Sequence, residues 1–407
     1  MKLKQALILA GGLGKRLGEK SLYCPKPMQL VNNEPFLNNL IWNLKRHNIT
    51  NIILSVGYLS HAFQDFFKNG QEIGVEIIYV KEEKPAGTAG AIKKCEQYLD
   101  EFFLLINGDT IFDINYHDLA KTFNHNKVGH LALNYVDDVS RYGEVKLNNS
   151  EIIDFTEKNA TILNNPGYIN SGVGIFHKKF AEFITHKETS LEKDIFPKMI
   201  KKKLLSAKKY NSFFLDIGIP KTLEDAQYLI PKWRSKSALL LDRDGVINID
   251  YGYVHKMDNF EFINGAKETI KLANDLGILV IVITNQAGIA RGLYSESQFR
   301  FFTDEINNRL IEFGAHIDKT YYCPHHPSEA SKDYLQNCNC RKPKNGLIEK
   351  AKLDWKLDKE KCFLIGDKES DILAARKSGI KAHLFSYKKE NLLEIFKNKL
   401  IYLCNNN

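Results

Sequence analysis

The stretch that most constrains this chain is Leu239-Leu240-Leu241-Asp242-Arg243-Asp244-Gly245. An unbroken apolar run reads as a parallel strand buried on both faces. It stops at two carboxylates one residue apart, and Gly245 lets the backbone turn sharply out of the sheet. Asp242 and Asp244 are thereby set at the carboxyl end of a strand, where open α/β sheets bind their ligands. Carboxylates this close repel unless a cation sits between them. The arrangement predicts a Mg²⁺ site with one carboxylate free to attack, the alternative being a solvated Asp-x-Asp-Gly turn.

Later stretches extend the pattern. Leu279 to Gln286 is a second apolar strand ending at the hydroxyl of Thr284, and Arg341-Lys342-Pro343 supplies paired cations. Cys362 to Gly366 is a third strand, delivering Asp367 and Lys368, with Asp371 downstream. The order strand-Asp, strand-Thr, Lys, strand-Asp resembles the haloacid dehalogenase phosphatase superfamily. No insertion is long enough for a separate cap domain, so loops must recognise a small substrate.

The seven cysteines are unevenly spaced, which argues against a disulfide framework. Cys323-Pro324-His325-His326, a gap of twelve residues after His325, and Cys338-Asn339-Cys340 bring together ligands that structural Zn²⁺ prefers. Cys323, His325, Cys338 and Cys340 are the expected set, with His326 competing for the histidine position; the alternative is three reduced loop cysteines beside a surface histidine. Four protein ligands leave no open position. The task of the metal would be to fix a loop so that Arg341 and Lys342 point at a phosphate.

With the loops Asp250-Tyr251-Gly252-Tyr253-Val254-His255 and Thr284-Asn285-Gln286-Ala287-Gly288-Ile289-Ala290-Arg291-Gly292, residues 238 to about 385 closely resemble the D,D-heptose 1,7-bisphosphate phosphatases, with histidinol phosphatases as nearest relatives. The resemblance implies that Asp242 is the nucleophile and forms an aspartyl-phosphate. Asp244 is the general acid and then the base for water. Mg²⁺ is held by Asp242, Asp244 and Asp367 together with a backbone carbonyl. Thr284 and Lys342 hold phosphoryl oxygens, and Asp250, Tyr253, Asn285, Gln286, Arg341 and Lys368 contact the sugar phosphate. Asp371 is read as a helix cap or an added member of the site.

The first half alternates strand and helix. A strand over 5–10 runs into Gly11, Gly12, Gly14, Lys15 and Arg16, a loop whose backbone N–H groups suit a phosphate chain. Lys26 is held between Pro25 and Pro27, whose backbones are restricted. A helix is expected over 36–48, strands over 51–56 and 75–80, and a helix opening at Gly87 whose N-terminus favours a base or phosphate. The strand from Phe102 delivers Asp109, and Phe213 to Pro220 places Asp216 at another strand end. After about residue 127 the pattern is richer in strands, with Glu157 and Lys158 closing one and Asn170 inside the next. This predicts a doubly wound, Rossmann-like α/β unit.

Residues 3 to about 230 resemble the sugar-1-phosphate nucleotidyltransferases, which have a glycosyltransferase-A-like fold. The resemblance implies that Gly11, Gly12, Gly14, Arg16, Lys26 and Gly87 hold a nucleoside triphosphate, with Lys26 steadying the transferring phosphates. Asp109 and Asp216 bind Mg²⁺, and Glu157, Lys158 and Asn170 hold the sugar phosphate. The spelling Phe214-Leu215-Asp216-Ile217-Gly218-Ile219-Pro220 looks most like heptose-1-phosphate and mannose-1-phosphate guanylyltransferases, which favours GTP.

At 407 residues the chain is too long for one ordinary core. The polar, proline-broken segment 231–237 separates a nucleotidyltransferase domain, 1–232, from a phosphatase domain, 237–400. A hydrophobic content of 43% and a charged content of 26% belong to a soluble globular protein. No apolar stretch is long enough to span a bilayer, and Met1-Lys2-Leu3-Lys4-Gln5 lacks the apolar core of a secretory signal, so a cytoplasmic protein is expected. The formal charge of +8 is spread along the chain. Its dense patches, Lys201-Lys202-Lys203 and Lys208-Lys209, read as a solvated face, so neither nucleic acid nor membrane is an expected partner.

The halves complement each other. Removing the 7-phosphate of heptose 1,7-bisphosphate leaves heptose 1-phosphate, which the other half would consume with a nucleoside triphosphate. A bifunctional enzyme of nucleotide-heptose biosynthesis follows, with the oligomeric state left open. The rival readings are a histidinol-phosphatase-like or other sugar phosphatase fused to a mannose or other sugar-1-phosphate nucleotidyltransferase, a nucleotide-sensing N-terminal module, and a zinc nucleic-acid module.

Overall fold

Leu239 and Leu241 point into one apolar core while Ala238 and Leu240 point into another, and all four side chains are fully buried. That period of two, apolar on both faces, is what a central parallel strand requires. The computed structural model describes every residue except 13, 157–164, 186–188 and 405–407. The chain divides into two units, Met1–Pro231 and Lys232–Asn407.

In the first unit Gln5–Leu9 lies parallel between Asn51–Val56 and Phe102–Asn107, with Glu76–Lys81 at the edge beyond Asn51–Val56. Phe102–Asn107 pairs on its other side antiparallel to Gly167–His177, and the sheet continues through Gly129–Val136, Leu205–Tyr210, Glu151–Thr156 and Glu144–Asn148. The change from parallel to mixed pairing matches the strand-rich reading after residue 127. The pairing of Gly167–His177 with Gly129–Val136 is irregular between Asn170 and Gly174. Gly172 sits there at φ +73°, and a Cβ on it would lie 2.4 Å from Asn107 Nδ2, so only glycine lets the strand pass. A separate ribbon pairs Thr110–Phe112 with Phe214–Asp216, setting Asp216 opposite Thr110.

The second unit is a five-stranded, wholly parallel sheet in the order Lys319–Cys323, Leu279–Asn285, Ala238–Leu241, Cys362–Gly366, Lys381–Leu384. The three strands that end in Asp242, Thr284 and Asp367 are therefore neighbours at its centre, and their carboxyl ends coincide. Each large apolar side chain buried here contributes about 1.5–3 kcal/mol. The helix Glu296–Phe313 starts with a Ser295/Gln298 capping box and brings Phe299 and Phe302 down onto the loop after Asp242. Among the described residues no helix is long and apolar enough to cross a membrane.

Candidate functional site

At the carboxyl ends of the central strands of the second unit, ligand oxygens of Asp242, Asp367 and Asp371 lie within 4.8 Å of one another. Lys342 enters this cluster from a distant loop. Its Nζ is 2.9 Å from Asp242 Oδ1 and 2.7 Å from Asp371 Oδ1, and it donates to the Ile283 carbonyl at 2.7 Å. Burial alone would lower the lysine pKa; the two carboxylates more than offset it and hold it above its ordinary value. Burial raises the Asp242 pKa against the pull of Lys342. Burial, with the charge of Asp242 added, pushes Asp367 up to about 7. Oδ1 of Asp367 is buried without a hydrogen-bond partner. A desolvated group of acids with an orphaned oxygen is the donor set that Mg²⁺ fits.

One expectation needs correction. Asp244 does not join the carboxylate cluster. Its oxygens accept hydrogen bonds from Arg243, from Asn248 Nδ2 at 3.0 Å and from Gln286 Nε2 at 3.1 Å, which turn the side chain toward the Arg243 guanidinium. Asp371 takes the third place. It does cap its helix, accepting the Lys368 N–H at 3.0 Å, but it is 1% exposed and pairs with Lys342 as well.

The remaining predicted residues divide by what they touch. Asn285 accepts the Lys342 N–H at 3.0 Å and donates to the Lys342 carbonyl at 3.1 Å, so it fixes the lysine backbone. Gln286 is buried, donates to Thr284 Oγ1 at 2.9 Å and accepts from the Tyr294 hydroxyl at 2.7 Å. Lys368 Nζ reaches Asp250 Oδ2 at 3.3 Å at the exposed mouth. Tyr253, at φ +51°, lies under the Arg291 guanidinium at 5.3 Å.

Cys323, His325, Cys338 and Cys340 converge as a second group. Cys340 Sγ lies 3.1 Å from Cys338 Sγ, 3.2 Å from Cys323 Sγ and 3.3 Å from His325 Nδ1. Sulfurs this close without a disulfide, joined by an imidazole nitrogen, fit a tetrahedral Zn²⁺. His326 does not join this group, and its Nδ1 accepts the Glu329 N–H at 2.9 Å. Arg341 Nη1 donates to the His325 carbonyl at 3.2 Å, so the same loop braces the residue beside Lys342.

In the first unit a cavity of about 490 Å³ is lined by Gly11, Gly12, Gly14, Arg16, Lys26, Gly87 and Asp109, among others. Lys26 is 8% exposed and ion-paired with Asp109. A Cβ on Gly218, which lines this cavity, would lie 2.3 Å from Asp216 Oδ1 and 3.4 Å from Lys26 Nζ, so Asp216 lies in the neighbourhood of the ammonium group that pairs with Asp109. Ile217 N–H donates to the Asp109 carbonyl at 3.0 Å, tying the two strand ends together. The Tyr142 hydroxyl donates to Asp216 Oδ2. Asn170 lies outside the lining of this cavity and accepts the Gly172 N–H at 3.2 Å. Glu157 and Lys158 fall outside the described residues.

Sequence reasoning missed Glu82, a buried carboxylate in the cavity wall that accepts from Ser55 Oγ and from the Ala86 N–H, each at 3.0 Å. Its signal was the pair Glu82-Glu83 directly after a strand and five residues before Gly87. It also missed Tyr142, which carried no signal beyond an aromatic beside Gly143.

One unit holds a glycine-lined cavity with a buried lysine and the other a strand-end acid cluster with a buried lysine, two centres suited to anionic phosphates. The family described as Nucleotidyl transferase matches residues 5–232, and that described as HAD-hydrolase-like matches residues 339–392. Over 147 residues, 36% of this chain and 80% of the relative, the chain is 46% identical to the D-glycero-beta-D-manno-heptose-1,7-bisphosphate 7-phosphatase of Haemophilus ducreyi. HddC from Yersinia pseudotuberculosis superposes with a TM-score of 0.51 and 32% identity, covering 56% of this chain and 99% of its own. The same protein complexed with GMP-PN gives 0.50 and 32% over the same shares. The chain belongs to the nucleotidyl transferase family and, in its other part, to the family of those heptose-bisphosphate phosphatases. It unites a nucleotidyltransferase with a phosphatase.

Proposed function

We propose that the chain removes the 7-phosphate of D-glycero-D-manno-heptose 1,7-bisphosphate and then transfers GMP from GTP to the resulting heptose 1-phosphate, releasing pyrophosphate. The observation that carries this reading is the pairing within one chain. The phosphatase relatives are named for the 7-position, and a 7-phosphatase spares the anomeric phosphate on which a nucleotidyltransferase acts.

In the phosphatase unit a carboxylate oxygen of Asp242 attacks phosphorus, and the bond to the sugar oxygen breaks as Asp244 supplies its proton. Asp244 then takes a proton from water, which attacks the aspartyl-phosphate and frees inorganic phosphate. Lys342 and Thr284 hold the phosphoryl oxygens. Mg²⁺ held at Asp242 and Asp367, with Asp371 beside them, would offset the charge of the phosphate. Zn²⁺ at Cys323, His325, Cys338 and Cys340 would be structural and keep the Arg341–Lys342 segment in place.

In the transferase unit the heptose 1-phosphate oxygen attacks the α-phosphorus of the triphosphate. The substrate is already ionised, so the chain has to position two anions and offset their repulsion, the task of Lys26 and Arg16. Asp109 and Asp216 would hold Mg²⁺ beside them. Guanine is favoured by the Phe214 to Pro220 spelling, and Glu82 offers a buried acceptor in the cavity wall. GMP-PN is the nucleotide bound by the structural relative. The assignment of domains is 1–232 to transfer and 237–400 to hydrolysis. The cytoplasm, which keeps thiols reduced, suits the six described free cysteines.

The test is product analysis with heptose 1-phosphate and ATP, GTP, CTP and UTP in competition. GDP-heptose is expected as the dominant product; dominance of another nucleotide removes the guanine assignment.

A further inference from the structure

We infer that Arg243 is a positioning residue that aims Asp244 at the water that hydrolyses the aspartyl-phosphate; the inference rests on the role of Asp244 in the proposed function. Arg243 stands between the two acids in sequence, and its side chain is 3% exposed. Nε donates to Asp244 Oδ1 at 3.1 Å, and Nη2 donates to Oδ1 at 2.8 Å and to Oδ2 at 2.7 Å. Nη2 also donates to the Val254 carbonyl at 2.8 Å, which fixes the guanidinium from a second loop. The guanidinium carbon lies 5.6 Å from the ring centroid of Phe299 and 5.2 Å from that of Phe302, both buried on the Glu296–Phe313 helix.

A carboxylate on a sharp turn, with Gly245 next to it at φ +87°, has several rotamers open to it. Arg243 leaves it one. The planar fork of the guanidinium holds both oxygens at once, which neither Asn248 nor Gln286 does with its single contact. The pair is not built for stability. A buried ion pair contributes little against an apolar pair of equal volume, and Nη1 of Arg243 is buried without a hydrogen-bond partner. What the arrangement does provide is a fixed direction for the Asp244 carboxylate, locked by aromatic packing on a capped helix.

The test uses the full chain with p-nitrophenyl phosphate. Its leaving group departs without a proton donor, so aspartyl-phosphate formation does not need Asp244, whereas hydrolysis of the intermediate does. R243M is expected to release a burst of about one nitrophenolate per site, followed by turnover slowed about 100-fold, with KM falling alongside kcat and kcat/KM unchanged, because hydrolysis of the intermediate has become the slow step. R243K, with one ammonium donor in place of the fork, is expected to recover part of the lost turnover. D244N should show the same burst followed by slow turnover. Wild-type turnover in R243M overturns the inference. So does loss of the burst in both R243M and R243K, which would mean that Arg243 supports the nucleophile or the fold instead. Wild-type turnover in D244N sinks the reading of Asp244 itself, a separate failure from that of Arg243.

Discussion

Replacing Gly245 with alanine should separate the two activities of this chain. A Cβ at position 245 would lie 2.4 Å from Asp367 Oδ2 and 2.6 Å from its Cγ, whereas ordinary contact begins near 3.4 Å. The neighbour is an acid of the carboxylate cluster, so it must retreat by about 1 Å (3.4 less 2.4). A displacement of about 1 Å in a catalytic constellation costs roughly 100-fold in rate. The backbone adds a second term, since φ at Gly245 is +87°. For a residue with a side chain the left-handed region costs about 1–2 kcal/mol. In a unit of this size that lowers the melting temperature by roughly 2–8 °C. Phosphate release from the sugar bisphosphate should fall about 100-fold in G245A, while pyrophosphate release from heptose 1-phosphate and nucleotide, measured on the same preparation, stays at the wild-type rate. A folded G245A whose phosphatase rate is within threefold of wild type refutes the reasoning, because the acid cluster would then not need its present geometry.

Other consequences are independent of that one. K26M removes the buried ammonium paired with Asp109 and should lower the transferase kcat by roughly 100- to 1,000-fold, the loss typical of one preorganised donor, with hydrolysis unaffected. C340A should lack the Zn²⁺ proposed for the wild type, read by atomic absorption on both, and drop the phosphatase kcat/KM by about 10- to 100-fold, because Arg341 and Lys342 follow directly on Cys340. His130 links the stability of the first unit to pH. Burial, aided by the charge of Lys208 and opposed by Asp118, lowers it from 6.5 to about 4, while Ser206 and Thr122 hold its nitrogens at 2.7 and 3.1 Å. A depressed folded-state value means that the stabilisation is full above pH 6.5 and is lost as pH falls toward 4. It contributes a loss of about 2 kcal/mol between pH 8 and pH 5. Denaturant titrations of wild type and H130Q at those two pH values should show the drop shrinking by about that amount, and equal drops would remove His130 as the cause.

The fold was legible where one pattern had one physical meaning. The apolar runs ending in Asp242, Thr284 and Asp367 could only be strands buried on both faces, and they lie side by side at the centre of a parallel sheet. The Cys-x-His and Cys-x-Cys pair was legible for the same reason, since soft ligands at short spacing have few other uses. What sequence could not give was the choice between partners of equal chemistry. Asp244 was expected among the metal ligands because of its spacing from Asp242, but the guanidinium between them takes both its oxygens. Asp371 was read chiefly as a helix cap; it caps its helix and also lies within the acid cluster, paired with Lys342. Asn285 fixes the backbone of Lys342 across 57 positions, a pairing that strand and loop patterns do not encode.

The most direct measurement follows phosphorus through both centres. Wild-type chain is incubated with heptose 1,7-bisphosphate, GTP and Mg²⁺, and orthophosphate, pyrophosphate and nucleotide sugar are counted beside D242N. The account predicts one orthophosphate and one pyrophosphate per GDP-heptose in the wild type. It predicts no GDP-heptose from the bisphosphate in D242N, and wild-type yield from D242N when heptose 1-phosphate is supplied instead. A D242N chain that still converts the bisphosphate, or a nucleotide sugar that keeps its 7-phosphate, would contradict it.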